Sequence, residues 1–317
     1  MILNADILEN DIQGNVLDVL LKDRTTGKNI FWATHDYESL GVSYEYHSQI
    51  LPELITNDNG HVVMPRVKKN RKLQQSRSKG MAEVFTPAWV CNAQNNLIDE
   101  AWFGVKNVFN VENENNTWTS KNINDILLPE SKSWRNYVKL PRLEMACGEA
   151  PYLASRYDVT TGEIIAVNDR VGILDRKLKL VNKYTPDEPT KTNKIRWNRW
   201  ALRALQSVYG FDWQGDNVLL AREALLFTYI EFYQMKWGDL PSDGFLMKPA
   251  EIISWNIWQM DGLRGTLPGE NGRLITEIVP GDLTLFDDEN HCKIMEWHSI
   301  EPLDGNVIRY IDLMNKK

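Results

Sequence analysis

The sequence predicts an α/β fold: a mostly parallel sheet with helices on both faces. Three stretches predict it. Residues 141–153, Pro-Arg-Leu-Glu-Met-Ala-Cys-Gly-Glu-Ala-Pro-Tyr-Leu, read as a short strand, Leu143–Ala146, a tight turn at Cys147–Gly148, and the start of a helix near Pro151. Residues 207–226 read as a strand, Val208–Phe211, that ends in Asp212, followed by a Gln-Gly-Asp turn and an apolar helix reaching about Trp237. Thr86 and Pro87 suit the cap and first turn of a helix in which Trp89, Ala93, Leu97 and Ala101 recur every four residues. Repeated strand–turn–helix units favour parallel pairing.

The elements can be taken in order. Residues 1–60 form an α/β lead-in. Apolar residues in Ile7–Leu21 have mixed helical spacing, Asp23–Gly27 is a turn signal, Asn29–Thr34 reads as a strand, and Asn57–Gly60 is another turn. Arg66, Lys68, Lys69, Arg71, Lys72, Arg77 and Lys79 then occur with no acid between them. Such a run is either a solvated segment or an arm that contacts phosphates. The chain divides at about residue 80 into an N-terminal extension carrying this basic arm, 1–80, and a main domain, 81–317. Residues 105–140, Asn-rich around Val111–Thr117, read as a loop. Residues 155–196 read as a polar insertion in which Arg170, Arg176, Lys177 and Lys179 alternate with apolar residues. Trp197–Gln206 has the spacing of an amphipathic helix. Ala250–Leu263 is an apolar stretch that closes on an Asp-Gly turn, Asp261-Gly262.

Composition narrows the chemistry. At 317 residues the chain can bury a substantial core without disulfides. Its three cysteines, Cys91, Cys147 and Cys292, show no metal spacing, and an odd count argues against a disulfide framework. The five histidines show no close metal spacing, and neither a phosphate loop with Gly-Lys-Ser/Thr nor a Gly-x-Ser-x-Gly elbow occurs. Met1–Ile7 is too acidic for a signal peptide, and no apolar run reaches spanning length, so a cytoplasmic protein without a membrane is expected. The formal charge of −7 does not suggest a nucleic-acid binder, although positive charge can be local, as at 66–79. Twelve tryptophans serve packing first, and some could stack on a base.

Ligands of open α/β sheets bind at the carboxyl ends of the strands. Glu144 puts a carboxylate there, which suits a ligand with a free ammonium group better than a phosphate. Gly148, lacking a Cβ, lets backbone approach a ligand closely. Asp212, ending the second strand, is placed to accept hydrogen bonds from ribose hydroxyls.

These residues carry a resemblance. The run from Leu143 to Leu153 resembles the first motif of the S-adenosylmethionine-dependent DNA adenine-N6 methyltransferases, the modification subunits of restriction–modification systems. Met145 stands where that motif has Pro, Ala150 where it has its second Gly, and Tyr152 where it has Phe. Phe85-Thr86-Pro87 resembles the family's Phe/Tyr-Thr-Pro turn, which lies beside the methionine end of the cofactor. Gly210-Phe211-Asp212 with Ala221-Arg222 resembles the second motif, and Asp261 matches the acid of the third, which bonds the cofactor's adenine amine. The resemblance spans roughly residues 80–265. It implies a Rossmann-like class I methyltransferase fold that binds S-adenosylmethionine and acts on DNA in a restriction–modification or mobile-element system. The implied cofactor residues are Phe85, Thr86, Pro87, Glu144, Ala146, Gly148, Asp212, Trp213, Asp261 and Gly262. Phosphate contacts would come from Arg66, Lys68, Lys69, Arg71 and Lys72.

One piece is missing. The family holds the flipped adenine amine with Asn/Asp/Ser-Pro-Pro-Tyr/Phe/Trp after the third motif. This chain has no Pro-Pro dipeptide. Val279–Asp282, Leu283–Phe286 and Glu296–His298 offer no convincing substitute, nor does Asn256-Ile257-Trp258, which precedes Asp261. Catalytic residues are therefore unassigned. The chain reads as the cofactor-binding part of a split enzyme whose partner supplies the catalytic motif and target recognition, as a degenerate methyltransferase kept for binding, or as an enzyme with an unrecognised catalytic motif. The alternative from another class is a non-catalytic nucleic-acid-binding or assembly subunit.

Overall fold

The computed structural model describes residues 5, 7, 9–69, 85–269, 291–300 and 303–314. Its architecture is mixed α/β. Eight α-helices occur among the described residues: α1 (Gly14–Leu21), α2 (Ala88–Phe103), α3 (Trp134–Lys139), α4 (Ile173–Tyr184), α5 (Lys191–Leu205), α6 (Gly215–Trp237), α7 (Met247–Asn256) and α8 (Tyr310–Met314). Among the described residues seven strands make three small sheets. β1 (Asn110–Asn113) and β2 (Thr117–Ser120) form one antiparallel hairpin, and β6 (Lys293–Ile300) and β7 (Leu303–Arg309) form another. β3 (Arg142–Met145), β4 (Val208–Asp212) and β5 (Ile257–Gln259) form a parallel sheet in that order, with Glu144 opposite Gly210 and Asp212 opposite Gln259.

The two faces of the parallel sheet differ. Val208 and Ile257 point into the main core, among helices α1 and α4–α7. On the other face Phe211, Trp258 and Met260 pack beneath the β6–β7 hairpin and Tyr310, the first residue of the five-residue helix α8, where the sequence predicts a layer of helices. That hairpin covers β4 and β5 but leaves β3 bare: Leu143 is 45% and Met145 69% exposed. Among the described residues nothing pairs with the outer edge of β3.

α6 runs through the middle. Gly215 to Tyr233 is buried throughout, its polar residues Asp216, Asn217, Arg222, Glu223 and Glu231 included. It stops at Gly238, whose φ of +77° and N–H to the Gln234 carbonyl make a left-handed cap. Arg222 on this helix is fully buried, and it donates to the carbonyls of Leu20, Lys22, Ser254 and Ile257, tying α1, α7 and β5 to α6. Residues before 70 share this core. Val16, Leu17, Leu20, Ile30, Trp32 and Ile50 belong to the same cluster as α6.

Several local expectations change. No helix starts at Pro151, because Tyr152 and Leu153 remain in turns and the next helix, α4, begins at Ile173. The supposed polar insertion contains that core helix. Arg170, Arg176, Lys177 and Lys179 are buried there because each finds a partner: Arg170 pairs with Glu231 at 2.6 Å, Arg176 with Asp99 at 2.5 Å, and Lys177 and Lys179 donate to the carbonyls of Leu140 and Arg170. α2 is turned the opposite way from its expected apolar stripe. Asn92, Asn95 and Asp99 are buried, held by Asn110, the carbonyls of Tyr152 and Val171, and Arg176, while Trp89 is 39% and Leu97 66% exposed. Thr86 does not cap α2. Asn29–Thr34 makes single bridges, Lys22 to Asn29 and Phe31 to Gln49, and no strand. The Asn-rich loop folds into the β1–β2 hairpin, turned by Asn115 and Asn116 at φ +62° and +59°.

Candidate functional site

Parallel alignment brings the carboxyl ends of β3, β4 and β5 to one rim, and the turns that leave these ends are bonded to one another. After β3 the backbone enters left-handed conformations at Ala146, Gly148 and Ala150, with φ of +49°, +52° and +57°. Only Gly148 adopts this conformation without cost, so the turn is strained at both alanines. A Cβ on Gly148 would meet no atom within 4 Å, leaving open space over that peptide. The Gly148 N–H donates to Asp212 Oδ2 at 2.9 Å, while the Cys147 N–H donates to the Phe211 carbonyl at 2.8 Å. Asp212 Oδ1 accepts from the Gln214 N–H at 3.1 Å and Asn217 Nδ2 at 3.3 Å. The acid that ends β4 thus clamps the glycine turn of β3 and the first turn of α6.

Glu144 points to the main-core side of β3. Its carboxylate accepts from the N–H groups of Tyr152 and Leu153 at 3.4 and 3.2 Å, so it shapes the loop after the glycine turn. Burial pushes this carboxyl up to about 8, against the opposing effect of the two amides, and the Asp212 charge adds to the rise. Phe85-Thr86-Pro87 lies against the same loop. Thr86 takes part in a side-chain hydrogen bond with Tyr152, its carbonyl is 3.7 Å from Cys91 Sγ, and the first N–H of α2, on Ala88, donates to Asp158 at 2.7 Å. The Arg66 guanidinium lies over the Phe85 ring, 4.3 Å from its centre.

From β5 the chain turns at Asp261-Gly262. Asp261 is buried and its backbone bridges to Thr266. Its Oδ1 accepts from the Leu263 and Arg264 N–H groups at 2.9 and 3.3 Å, and Oδ2 lies 3.2 Å from Arg264. Gly262 is required by packing, since a Cβ there would come within 2.6 Å of the Phe211 ring. The Met260 N–H donates to the Asp212 carbonyl at 2.9 Å, so this turn joins the same rim.

Trp213, next to Asp212, is half-buried. Its indole N–H donates to the Tyr46 hydroxyl at 2.9 Å, and the ring packs with Phe31, Ala33 and Tyr46, a group that the sequence did not single out. Gln259 holds that group in place: it exchanges two hydrogen bonds with Phe31 and donates to the Trp213 carbonyl.

The basic arm divides. Lys69 is 6% exposed, and its ammonium lies 2.8 Å from Asp216 beside the Tyr37 hydroxyl, which donates to the same carboxylate at 2.7 Å. A lysine committed to a buried acid serves the fold, which corrects its expected place in a phosphate-contacting arm. Arg66 is half-buried, with its N–H donating to Glu149 Oε1 at 2.7 Å, and Lys68 is exposed. Arg71 and Lys72 lie outside the described residues, as do Val279–Asp282 and Leu283–Phe286. Asn256 is a core residue that donates to the carbonyls of Leu205 and Val208 and receives the Trp297 indole N–H, so its side chain is spent within the protein.

Sequence reasoning missed Gln214. It is 3% exposed, its Oε1 accepts from Asn217 Nδ2 at 3.3 Å, and its Nε2 has no partner among the described residues. Nothing in its spacing distinguished it from an ordinary turn residue. Among the described residues no cluster of His, Cys, Asp and Glu is arranged to hold a metal ion, and no helix is long and apolar enough to cross a membrane. Comparison with protein-family models, with curated proteins and with solved structures finds no match to this chain.

Proposed function

We propose that the chain is a DNA adenine-N6 methyltransferase-like protein of a restriction–modification or mobile-element system, built on the cofactor-binding half of a Rossmann-like class I methyltransferase fold. The observation that carries this reading is the Gly148 N–H bond to Asp212 at 2.9 Å, which joins a glycine turn after one parallel strand to an acid after the next. Such a rim is where open α/β sheets take nucleotide-like ligands. Two features support S-adenosylmethionine as the ligand: the Asp212 carboxylate lies at the end of β4, and the space over Gly148 is open. Asp212 would take the ribose and Asp261 the adenine amine, with Phe85, Thr86 and Pro87 at the methionine end. Glu144 would act by fixing the loop at 147–153. The cofactor, when bound, supplies a methyl group on a charged sulfonium, and the chain positions it and excludes water.

The methyl-accepting side is not assigned to this chain. β3, β4 and β5 run outward in sequence order from β3, and among the described residues no strand lies beyond β3. That edge, with exposed Leu143 and Met145, supports the split-enzyme reading, in which a second chain brings the catalytic tetrapeptide and DNA recognition. Calorimetry with S-adenosylmethionine tests the proposal. Micromolar binding is expected, weakened more than tenfold by Asp212→Ala, in line with the loss of a charged hydrogen-bond acceptor. No binding, or binding indifferent to Asp212, overturns it.

A further inference from the structure

Helix α2 is built inside out. Its polar residues Asn92, Asn95 and Asp99 are buried and bonded to Asn110, to the carbonyls of Tyr152 and Val171, and to Arg176 and Tyr137. Its apolar residues are turned out. Trp89, Leu97, Ile98 and Ala101 are exposed, and Val90 and Ala93 are half-buried. A helix at the surface of a globular protein ordinarily turns its charges to water. Here the sequence from Ala88 to Ile98 has no charged residue, although a quarter of the chain is charged. Single exposed leucines are ordinary, but an uncharged apolar ridge along several turns marks a surface that another surface covers, since charge is depleted where interfaces are fully buried.

We propose that this face binds a second copy of the chain, with the two α2 helices packed antiparallel about a two-fold axis at Leu97. Two features select a second copy over an unrelated partner. The first is the symmetry of the ridge. Ala93 and Ala101 stand four residues before and after Leu97, one turn to either side. An antiparallel pair centred on Leu97 lays Ala93 of each copy against Ala101 of the other, so the leucines interlock without a clash on either side. Trp89, one turn further out, reaches the far end of the other helix, where Val105 is exposed just past the Gly104 cap. The second feature is charge. A two-fold interface meets its own image, so any net charge on it faces itself and repels. Glu100, at the edge of the ridge, lies 3.6 Å from Lys106 of the same chain, so this pair adds no net charge. Under the same two-fold Glu100 comes opposite Gln94 of the other copy, an exposed amide able to donate to it. The helix has 16 residues and is about 24 Å long. One face of that length covers less than the roughly 800 Å² per partner of a standard interface, so the dimer is weak, with a dissociation constant on the order of 10–100 µM.

Sedimentation equilibrium of the full chain over about 5–500 µM tests the association, with Leu97→Arg as the variant. Leu97 is exposed, so arginine there leaves the packing of the single chain alone. The wild type should dimerise in this range, and Leu97→Arg should raise the dissociation constant more than tenfold, because it sets two like charges together on the axis. Oxidative cross-linking with copper phenanthroline tests the geometry. The three native cysteines are buried, so added ones report alone. Leu97→Cys should give a covalent dimer by itself. Ala93→Cys and Ala101→Cys should cross-link efficiently when mixed and poorly when each is alone. Leu127→Cys, exposed on another part of the surface, should not cross-link. A chain that stays monomeric throughout, a dimer indifferent to Leu97→Arg, or Ala93→Cys that links to itself better than to Ala101→Cys overturns the proposal.

Discussion

Glu144→Gln should flatten the fall in stability that the wild-type chain shows toward alkaline pH. The Glu144 carboxyl is raised from 4.5 to about 8, mainly by burial, with Asp212 adding to the effect and the amides of Tyr152 and Leu153 opposing it. Between these two values the carboxyl is protonated in the folded chain and ionised in the unfolded one. The folded state then binds more protons, so its contribution to stability is whole below about pH 4.5, falls as pH rises, and is lost once pH passes about 8. One pH step across the window is worth about 1.4 kcal/mol, and the whole window on the order of 3–5 kcal/mol. Glutamine stays neutral throughout and has no such slope. Urea unfolding followed by tryptophan fluorescence, from pH 4.5 to 9, gives the stability difference between wild type and variant, in which the other titrating groups largely cancel. That difference should move in favour of the glutamine variant by roughly the stated amount across the window. Parallel profiles for the two proteins would show that Glu144 ionises in the folded chain as it does in water, and the desolvation argument would fail.

The same carboxyl predicts that S-adenosylmethionine binding near pH 7 releases close to one proton, since a nearby cation favours the ionised acid. Calorimetry in buffers of different ionisation enthalpy measures this, and Glu144→Gln should abolish the release. Asp99→Ala should destabilise the chain by about 3–5 kcal/mol in urea unfolding, because it strands the fully buried Arg176 guanidinium that Asp99 holds at 2.5 Å. Lys68→Ala and Lys69→Met should separate cleanly. Loss of the exposed Lys68 should lower DNA affinity and its salt dependence without touching stability, while loss of Lys69, 2.8 Å from buried Asp216, should cost about 3 kcal/mol of stability.

The parts of the fold that follow from local chemistry were legible. The strand–Gly turn at 143–148, the strand ending in Asp212 and the long helix after it are all present, and Gly148 and Asp212 meet. These are short-range patterns, fixed by turn geometry and apolar runs. What failed depended on long-range pairing. Arg176, Lys177 and Lys179 look like surface residues in sequence, and nothing local shows that Asp99 and the carbonyls of Leu140 and Arg170 wait for them inside. The four-residue spacing in α2 correctly groups Trp89 with Leu97 on one face, but periodicity does not say which face turns inward. Asn92, Asn95 and Asp99 win the interior because each meets a partner there that an apolar side chain could not satisfy. Glu144 is an intermediate case: its position at the strand end was legible, but its grip on the amides of Tyr152 and Leu153 was not.

The missing tetrapeptide and the bare edge of β3 have one physical explanation in the proposed reading. A parallel strand is ordinarily covered on both faces, because parallel sheets bury both. β3 has its inner face against the core, but its outer face shows Leu143 and Met145 to solvent, just where the β6–β7 hairpin stops. The hairpin seals the outer face of β4 and β5, and it carries Glu296–His298, the last described candidate for a catalytic motif, within β6. There Trp297 is engaged with the core residue Asn256. Asp212 and Asp261 follow the strands that the hairpin covers, while Glu144 and Gly148 belong to β3 and its turn, at the edge left open. In the split-enzyme reading the catalytic groups would be delivered across the outer edge of β3, and adding a chain that supplies them should raise the transfer rate while leaving the Asp212-dependent affinity for S-adenosylmethionine in place.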